Sequence, residues 1–287
     1  MTRPLIRKLP LAVFLLTAAS GCELIQFDAP IEPPPPSDIE PGDGGGARGP
    51  APLYPFRPGS TWQYTVTQLD GSTSLKFVTI DAKQVMVGGV GEHQLDMAYP
   101  VRTSAAPGGP ANSLIMQQAV GDQIVNWREE TFDHFGQMVL DVNFEPQQLE
   151  VDQSPERTRM GASWLDTYTA VIRPIGGFPS TVKTSEKWTV VAHELLPLPG
   201  IATPFQTIVF QKSEATAPAD AGTGTGDGGR SADSGTRPPM LTGQTWSEAV
   251  DAGVMIPKTL WYARGYGKVK EAGGGQPTEE LSGLELK

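Results

Sequence analysis

Three histidines, each beside an acid, are the first side chains that could do chemistry: His93 in GEHQ, His134 in TFDHF and His193 in AHEL. Converging imidazoles would hold a zinc ion or act as general bases. Nothing in the spacing makes them converge. They lie far apart along the chain, and neighbouring residues of a strand point to opposite faces, so Glu92 and Glu194 should not share a face with His93 and His193. The three read as structural histidines, and no metal is expected. The 32 acidic residues would allow a glycosidase-like pair of carboxylates, but none is singled out. There is no Gly-x-Ser-x-Gly elbow, P-loop or HExxH pair. No catalytic residue and no cofactor is assigned. The remaining reactive group is the only cysteine, Cys22, and its surroundings give it a different use.

Arg3, Arg7 and Lys8 precede the apolar run LPLAVFLLTAA, which is shorter than a bilayer-spanning helix. This is the layout of a secretory signal. Ala19, Ser20 and Gly21 then lead directly into Cys22. The segment resembles the bacterial lipobox, with Ala19 where Leu is usual. The resemblance implies removal of residues 1–21, attachment of a diacylglyceryl group to Cys22, and passage through the lipoprotein processing and sorting machinery. The chemistry agrees. A lone thiol in an oxidising compartment makes no internal disulfide. Acyl chains contribute about 0.8 kcal/mol per buried methylene, and two chains supply the two signals that stable anchoring needs. Glu23 follows the cysteine, where enteric lipoproteins kept in the inner membrane often carry Asp, so the outer membrane is the expected location. Cleavage removes three of the 22 basic residues and no acidic one, which makes a net charge of −10 more negative still. Such a surface repels phosphate backbones and anionic headgroups, so nucleic acid is not an expected partner and attachment rests on the acyl chains.

Residues 22–52 carry four consecutive prolines and GDGGG, a stiff piece followed by a flexible one, and read as a spacer. A second biased stretch, 215–239, holds no large apolar side chain and reads as a disordered insertion. Its DAGTGTGDGG lacks the acidic spacing and closing glutamate of an EF-hand loop. Residues 53–287 are left as one β-rich domain around that insertion.

TWQYTV places Trp62, Tyr64 and Val66 on one face, and Asp70-Gly71 then offers a type I′ hairpin turn before SLKFVTID. Gly88-Gly89 and Gly121-Asp122 separate further runs. QMVLDVNF, SWLDTYTAVI, KWTVVAHE, FQTIVFQK and TLWYARGYGKVK are rich in Thr, Val, Ile and aromatics, as a half-buried pleated surface requires. EPQQLEVDQ at 145–153 is the candidate for a short helix. The expected fold is mainly β, an antiparallel curved sheet, half-barrel or sandwich-like, with few short helices. Gly-x-Ser/Thr-Trp occurs three times, in PGSTW (58–62), GASW (161–164) and GQTW (243–246). Gly eases the turn, the hydroxyl satisfies backbone groups and Trp anchors the strand. Trp62 and Trp261 are accordingly expected as core anchors rather than sugar-stacking residues.

Three phrases in order, YPFRPGSTWQY (54–64), LPLPGIATPFQTIVF (196–210) and TLWYARGYGKVK (259–270), resemble those of uncharacterised bacterial lipoproteins of the PLKPGNTWTY, VPAGTF, WYAPGVGLVK type. The resemblance implies an antiparallel curved β-domain in the envelope and carries no catalytic residues. Three functions remain open: a non-catalytic binding or scaffold domain, a carrier of a hydrophobic ligand in a half-open barrel, and a lipid-tethered hydrolase. The inside of the β-domain discriminates among them.

Overall fold

The computed structural model describes residues 50–218 and 257–287. Cys22, the signal segment, residues 22–49 of the spacer, GQTW and most of the 215–239 insertion lie outside the described residues. Thirteen strands follow in order: β1 (Thr61–Thr67), β2 (Thr73–Ile80), β3 (Val85–Met86), β4 (Met97–Ser104), β5 (Ala111–Val120), β6 (Gln123–Phe132), β7 (Met138–Asp152), β8 (Ser163–Pro174), β9 (Ser180–Leu196), β10 (Phe205–Pro218), β11 (Lys258–Ala263), β12 (Gly267–Gly273) and β13 (Thr278–Glu285). Among the described residues there is no helix.

Every neighbour pairs antiparallel, and the sheet runs β2-β1-β13-β12 and on through β5-β4. It closes where Phe77 to Ile80 of β2 pair with Ser104 to Val101 of β4. Twelve strands therefore make a closed barrel, with β3 attached to β4 outside it. Closure removes the free edges that a half-barrel or sandwich would leave exposed. The expected β class holds, and the open form does not.

Three local readings change. The stretch 145–153, expected as a helix, continues β7, where Val151 pairs with Ile124 and Gln148 with Asn126. Its apolar residues Leu149 and Val151 are two apart, a strand period that the flanking polar residues obscure. The first hairpin turns around Leu69-Asp70, with Gly71 N–H donating to the Gln68 carbonyl; Gly71 follows at φ +84°, and the Asp70 carboxylate accepts from the Ser72 amide. The run TLWYARGYGKVK is two strands, β11 and β12, folded at Gly265. Of the insertion, Ala215–Pro218 belongs to β10.

The barrel has two distinct ends. Its floor is where β1 begins and β11 ends, and its mouth is where β10 ends and β11 begins. The floor gathers the three phrases that carry the lipoprotein resemblance. Trp62 is 1% exposed, stacks on Tyr54 (centroids 5.4 Å, 11°), and donates its indole N–H to the Tyr266 carbonyl at 2.6 Å. Tyr64 donates its hydroxyl to the Lys268 carbonyl at 2.9 Å. Phe205, from the middle phrase, meets Tyr266 edge-on at 4.9 Å. Gly267 sits at φ +87° with its missing Cβ only 3.2 Å from the Trp62 indole nitrogen and 3.3 Å from Tyr54, so any side chain there would press on the stack. Trp62 is the core anchor expected of it. Trp261 is not: it points outward, half-buried, with its N–H on Glu194 (2.6 Å) and Lys270 over its ring, while Leu260 and Tyr262 take the inside.

The outward face is mixed: Thr61, Gln63 and Thr65 on β1, Thr167 and Thr169 on β8, and Lys183 and Lys187 on β9 are polar, while Leu75 on β2 and Leu165 on β8 are exposed apolar residues.

Candidate functional site: a charged funnel above an aromatic floor

Above the floor the inward positions change character. On four strands the inward side chain above a core residue is charged, whereas β1 continues with Tyr64 and Val66 and β7 and β8 carry the apolar cluster of Val142, Phe144, Tyr168 and Ala170. Lys212 follows Phe210, Glu186 precedes Trp188, Glu279 precedes Leu281, and Lys76 precedes Val78. Period-two geometry places each of these on the core face two residues from its apolar neighbour.

Along β2, β13, β12 and β11 the charges alternate in an unbroken chain. Lys76 bonds Glu279 at 2.6 Å, Glu279 bonds Lys268 at 3.1 Å, Lys268 bonds Glu271 at 2.5 Å, and Glu271 bonds Lys258 at 3.0 Å. Burial by itself would lower the Lys268 pKa, but Glu271 and Glu279 outweigh it and hold the ammonium above its usual range. Burial likewise opposes ionisation of both glutamates; Lys268 and Lys258 nevertheless hold Glu271 far below the carboxylate range, and Lys268 and Lys76 lower Glu279.

On β9 and β10, Glu186 is fully buried and bonds Lys212 at 2.8 Å. It also accepts from the Tyr168 hydroxyl (3.1 Å), the Gln148 amide (3.3 Å) and the Trp188 indole (3.3 Å). Three donors thus close around one buried pair, the arrangement that offsets its desolvation. Trp188 stacks on Trp164, the GASW tryptophan (6.0 Å, 3°), and carries Lys212 over its ring at 4.8 Å.

Further acidic side chains line part of the wall. Asp166, Glu186 and Glu214 are direct register partners on β8, β9 and β10. Partial burial, and the neighbouring Glu186 carboxylate, raise the pKa of Glu214; burial first and Glu186 less strongly raise that of Asp166, although the Leu149 amide holds it at 3.2 Å. On β6, two strands beyond β8, Glu129 is raised by burial and by Glu150.

The histidines found in the sequence do not join this site. His93, on the β3–β4 loop, bonds Asp96 at 2.7 Å and lies on the Trp127 ring at 3.9 Å; His134 packs on Phe135 at a hairpin tip; His193 reaches the Thr158 carbonyl at 2.9 Å. Each has its own neighbour on a separate element. Among the described residues no three His, Cys, Asp or Glu side chains converge as a metal group. A cleft of about 350 Å³ opens outside the floor between Pro50, Asp122, Pro155 and Arg264; it is where the chain enters the barrel, not where the charges meet.

The funnel residues were legible in principle through one signal, a Lys or Glu at a core-facing position of a strand. No known protein family, curated protein or solved structure shows significant similarity to the chain.

Proposed function

We propose that the protein is a lipid-anchored component of a bacterial cell envelope, held through Cys22, whose barrel is a non-catalytic module that binds or scaffolds a partner. The observation that supports this best is the division of the lumen. Packed rings close the floor, and the lysines above them are tied into ion pairs, which makes a polar receptor whose cations are already engaged. A hydrophobic passenger would meet packed aromatics at the floor and buried ion pairs above them along β9 to β13, which argues against the carrier reading. A hydrolase could draw on the funnel lysines as nucleophile or base, and these are held in ion pairs.

The entry of the chain supports the topology. Gly265 N–H donates to the Pro52 carbonyl at 2.7 Å and Arg264 to the Ala51 carbonyl at 3.1 Å, so residues preceding the barrel leave from its floor. A tether from Cys22 spans at most about 100 Å when fully extended. The mouth is at the end of the barrel away from this entry.

The test is labelling with radioactive palmitate in the native host. Cys22→Ala should abolish incorporation and release the protein from membranes, and the parent should fractionate with outer-membrane markers. Continued labelling of Cys22→Ala refutes the anchor, and fractionation solely with the inner membrane refutes the location.

A further inference from the structure

We propose that the acidic wall of the funnel is a binding site for a primary ammonium group, seated between the carboxylates of Glu129 and Glu150 and the side-chain carbonyl oxygens of Gln117 and Asn126. The inference rests on the reading of the barrel as a binding module and names the chemistry of its ligand.

Charge comes first. Each funnel lysine already has its carboxylate: Lys76, Lys258 and Lys268 share Glu271 and Glu279, and Lys212 has Glu186. Glu129, Glu150, Asp166 and Glu214 have no ion-pair partner among the described residues, so positive charge is what the lumen lacks. The second observation is independent of charge. Asn126 and Gln117 are direct partners across β6 and β5, and both are 3% exposed. The Asn126 amide nitrogen donates to Gln148 Oε1 at 3.1 Å and Glu150 Oε2 at 3.5 Å, which fixes the other end of the side chain as oxygen. That Oδ1, and the Oε1 of Gln117, are buried without a donor among the described residues. Buried acceptors are nearly always satisfied, so two adjacent orphans mark a place where hydrogens are to be supplied.

Two carboxylates and two amide oxygens make an acceptor-only set. A ligand that fits must bring both positive charge and several N–H donors, as an ammonium does with three. Calcium would want six to eight oxygens, and no third carboxylate joins to make a metal group. Both orphan oxygens are fully covered, so an ammonium arriving from the mouth meets Glu129 first and reaches them by displacing a neighbouring side chain. A free alkylamine and a lysine side chain of a partner present the same head.

The experiment uses the mature full-length protein in detergent, titrated calorimetrically at fixed ionic strength. The probes are 1,4-diaminobutane, an end-blocked Gly-Lys-Gly peptide, its acetyl-lysine counterpart and calcium chloride. At least one amine should bind saturably and raise the melting temperature, while the acetylated peptide and calcium do not. Diamine binding assigns the site to small amines, and binding of the peptide alone assigns it to a partner's lysine. Affinity should fall at least tenfold in the near-isosteric Glu129→Gln and in Asn126→Leu, and hold in Glu214→Gln. Failure of both amines to bind the folded parent overturns the proposal, as does calcium binding in their place. So does an equal loss in Glu214→Gln, which would mean bulk charge attraction. Should Asn126→Leu not fold, Glu129→Gln decides. Lost amine binding with Cys22 still labelled refutes this site and leaves the anchored module standing; lost labelling with intact amine binding does the reverse.

Discussion

Removing the Trp62 indole tests whether the repeated tryptophan phrase serves the floor or a ligand. Trp62 is 1% exposed, stacked on Tyr54 and bonded to the Tyr266 carbonyl across 204 residues of sequence. Trp62→Ala deletes the whole ring in a closed barrel whose walls cannot collapse inward freely, and substitutions of this kind cost about 3–5 kcal/mol. For a domain of this size each kcal/mol shifts the melting temperature by about 2–4 °C, so the loss should be about 6–20 °C. Trp62→Phe keeps most of the apolar contact and deletes the N–H bond, a net term of about 0.5–1.5 kcal/mol. It should melt between the parent and the alanine variant. Thermal melts followed by near-ultraviolet circular dichroism read both. If Trp62→Ala melts within about 2 °C of the parent, or if Phe and Ala are indistinguishable, the floor is not held as described. Trp62 would then be a candidate for ligand stacking.

Two further outcomes follow from the funnel. Lys212→Met alone leaves the fully buried Glu186 carboxylate without its cation and should cost about 3–5 kcal/mol in urea unfolding. Glu186→Gln with Lys212→Met should recover much of that, because the buried charge is gone and the amide oxygen can still accept from Tyr168 where Oε1 did; equal stability of the single and double variants would show that the pair is not desolvated. Stability should also rise modestly as pH falls from 7 toward 5. Glu129, Asp166 and Glu214 have raised folded pKa values, so the native state binds their protons first. Glu271 and Glu279 have depressed values and stabilise fully above the ordinary carboxylate range, a contribution lost only as pH drops below it. A melting temperature that falls steadily from pH 7 to 5 would contradict these environments.

Much of the fold was legible because its strands obey a period of two. Trp62, Tyr64 and Val66 on one face of β1, and the Gly121-Asp122 hairpin between β5 and β6, stand as the pattern implied. Closure was not legible. It depends on four residue pairs between β2 and β4, with Phe77 opposite Ser104 and Ile80 opposite Val101, and no local signal announces a contact made only after the other strands have assembled. The last strand was missed altogether. TEELSGLE has two adjacent glutamates and a glycine, all disfavoured in strands. Its propensity is overruled by its partners, since Lys76 and Lys268 hold Glu279 on the inside and Lys270 holds Glu280 on the outside.

The same reversal hid the site. Reading for chemistry favoured histidines beside acids, residues whose reactivity is intrinsic, and the fold sends these to a loop, a hairpin tip and the end of a strand. The residues that do meet are lysines and glutamates scattered through sequence that looks like ordinary solvated strand. A charge on an exposed face is usual; a charge two residues from a buried aromatic, as Glu186 is from Trp188, has to be held by something across the lumen. In an open sheet such a side chain would bend out to water. Closing the barrel denies it that exit and turns a tolerable surface charge into one that must be paired. Lys212 supplies the partner for Glu186 at 2.8 Å. Glu129 has no such partner among the described residues, and burial beside Glu150 raises its pKa. The difference between those two glutamates separates the part of the lumen that holds the barrel together from the part to which the ammonium site is proposed.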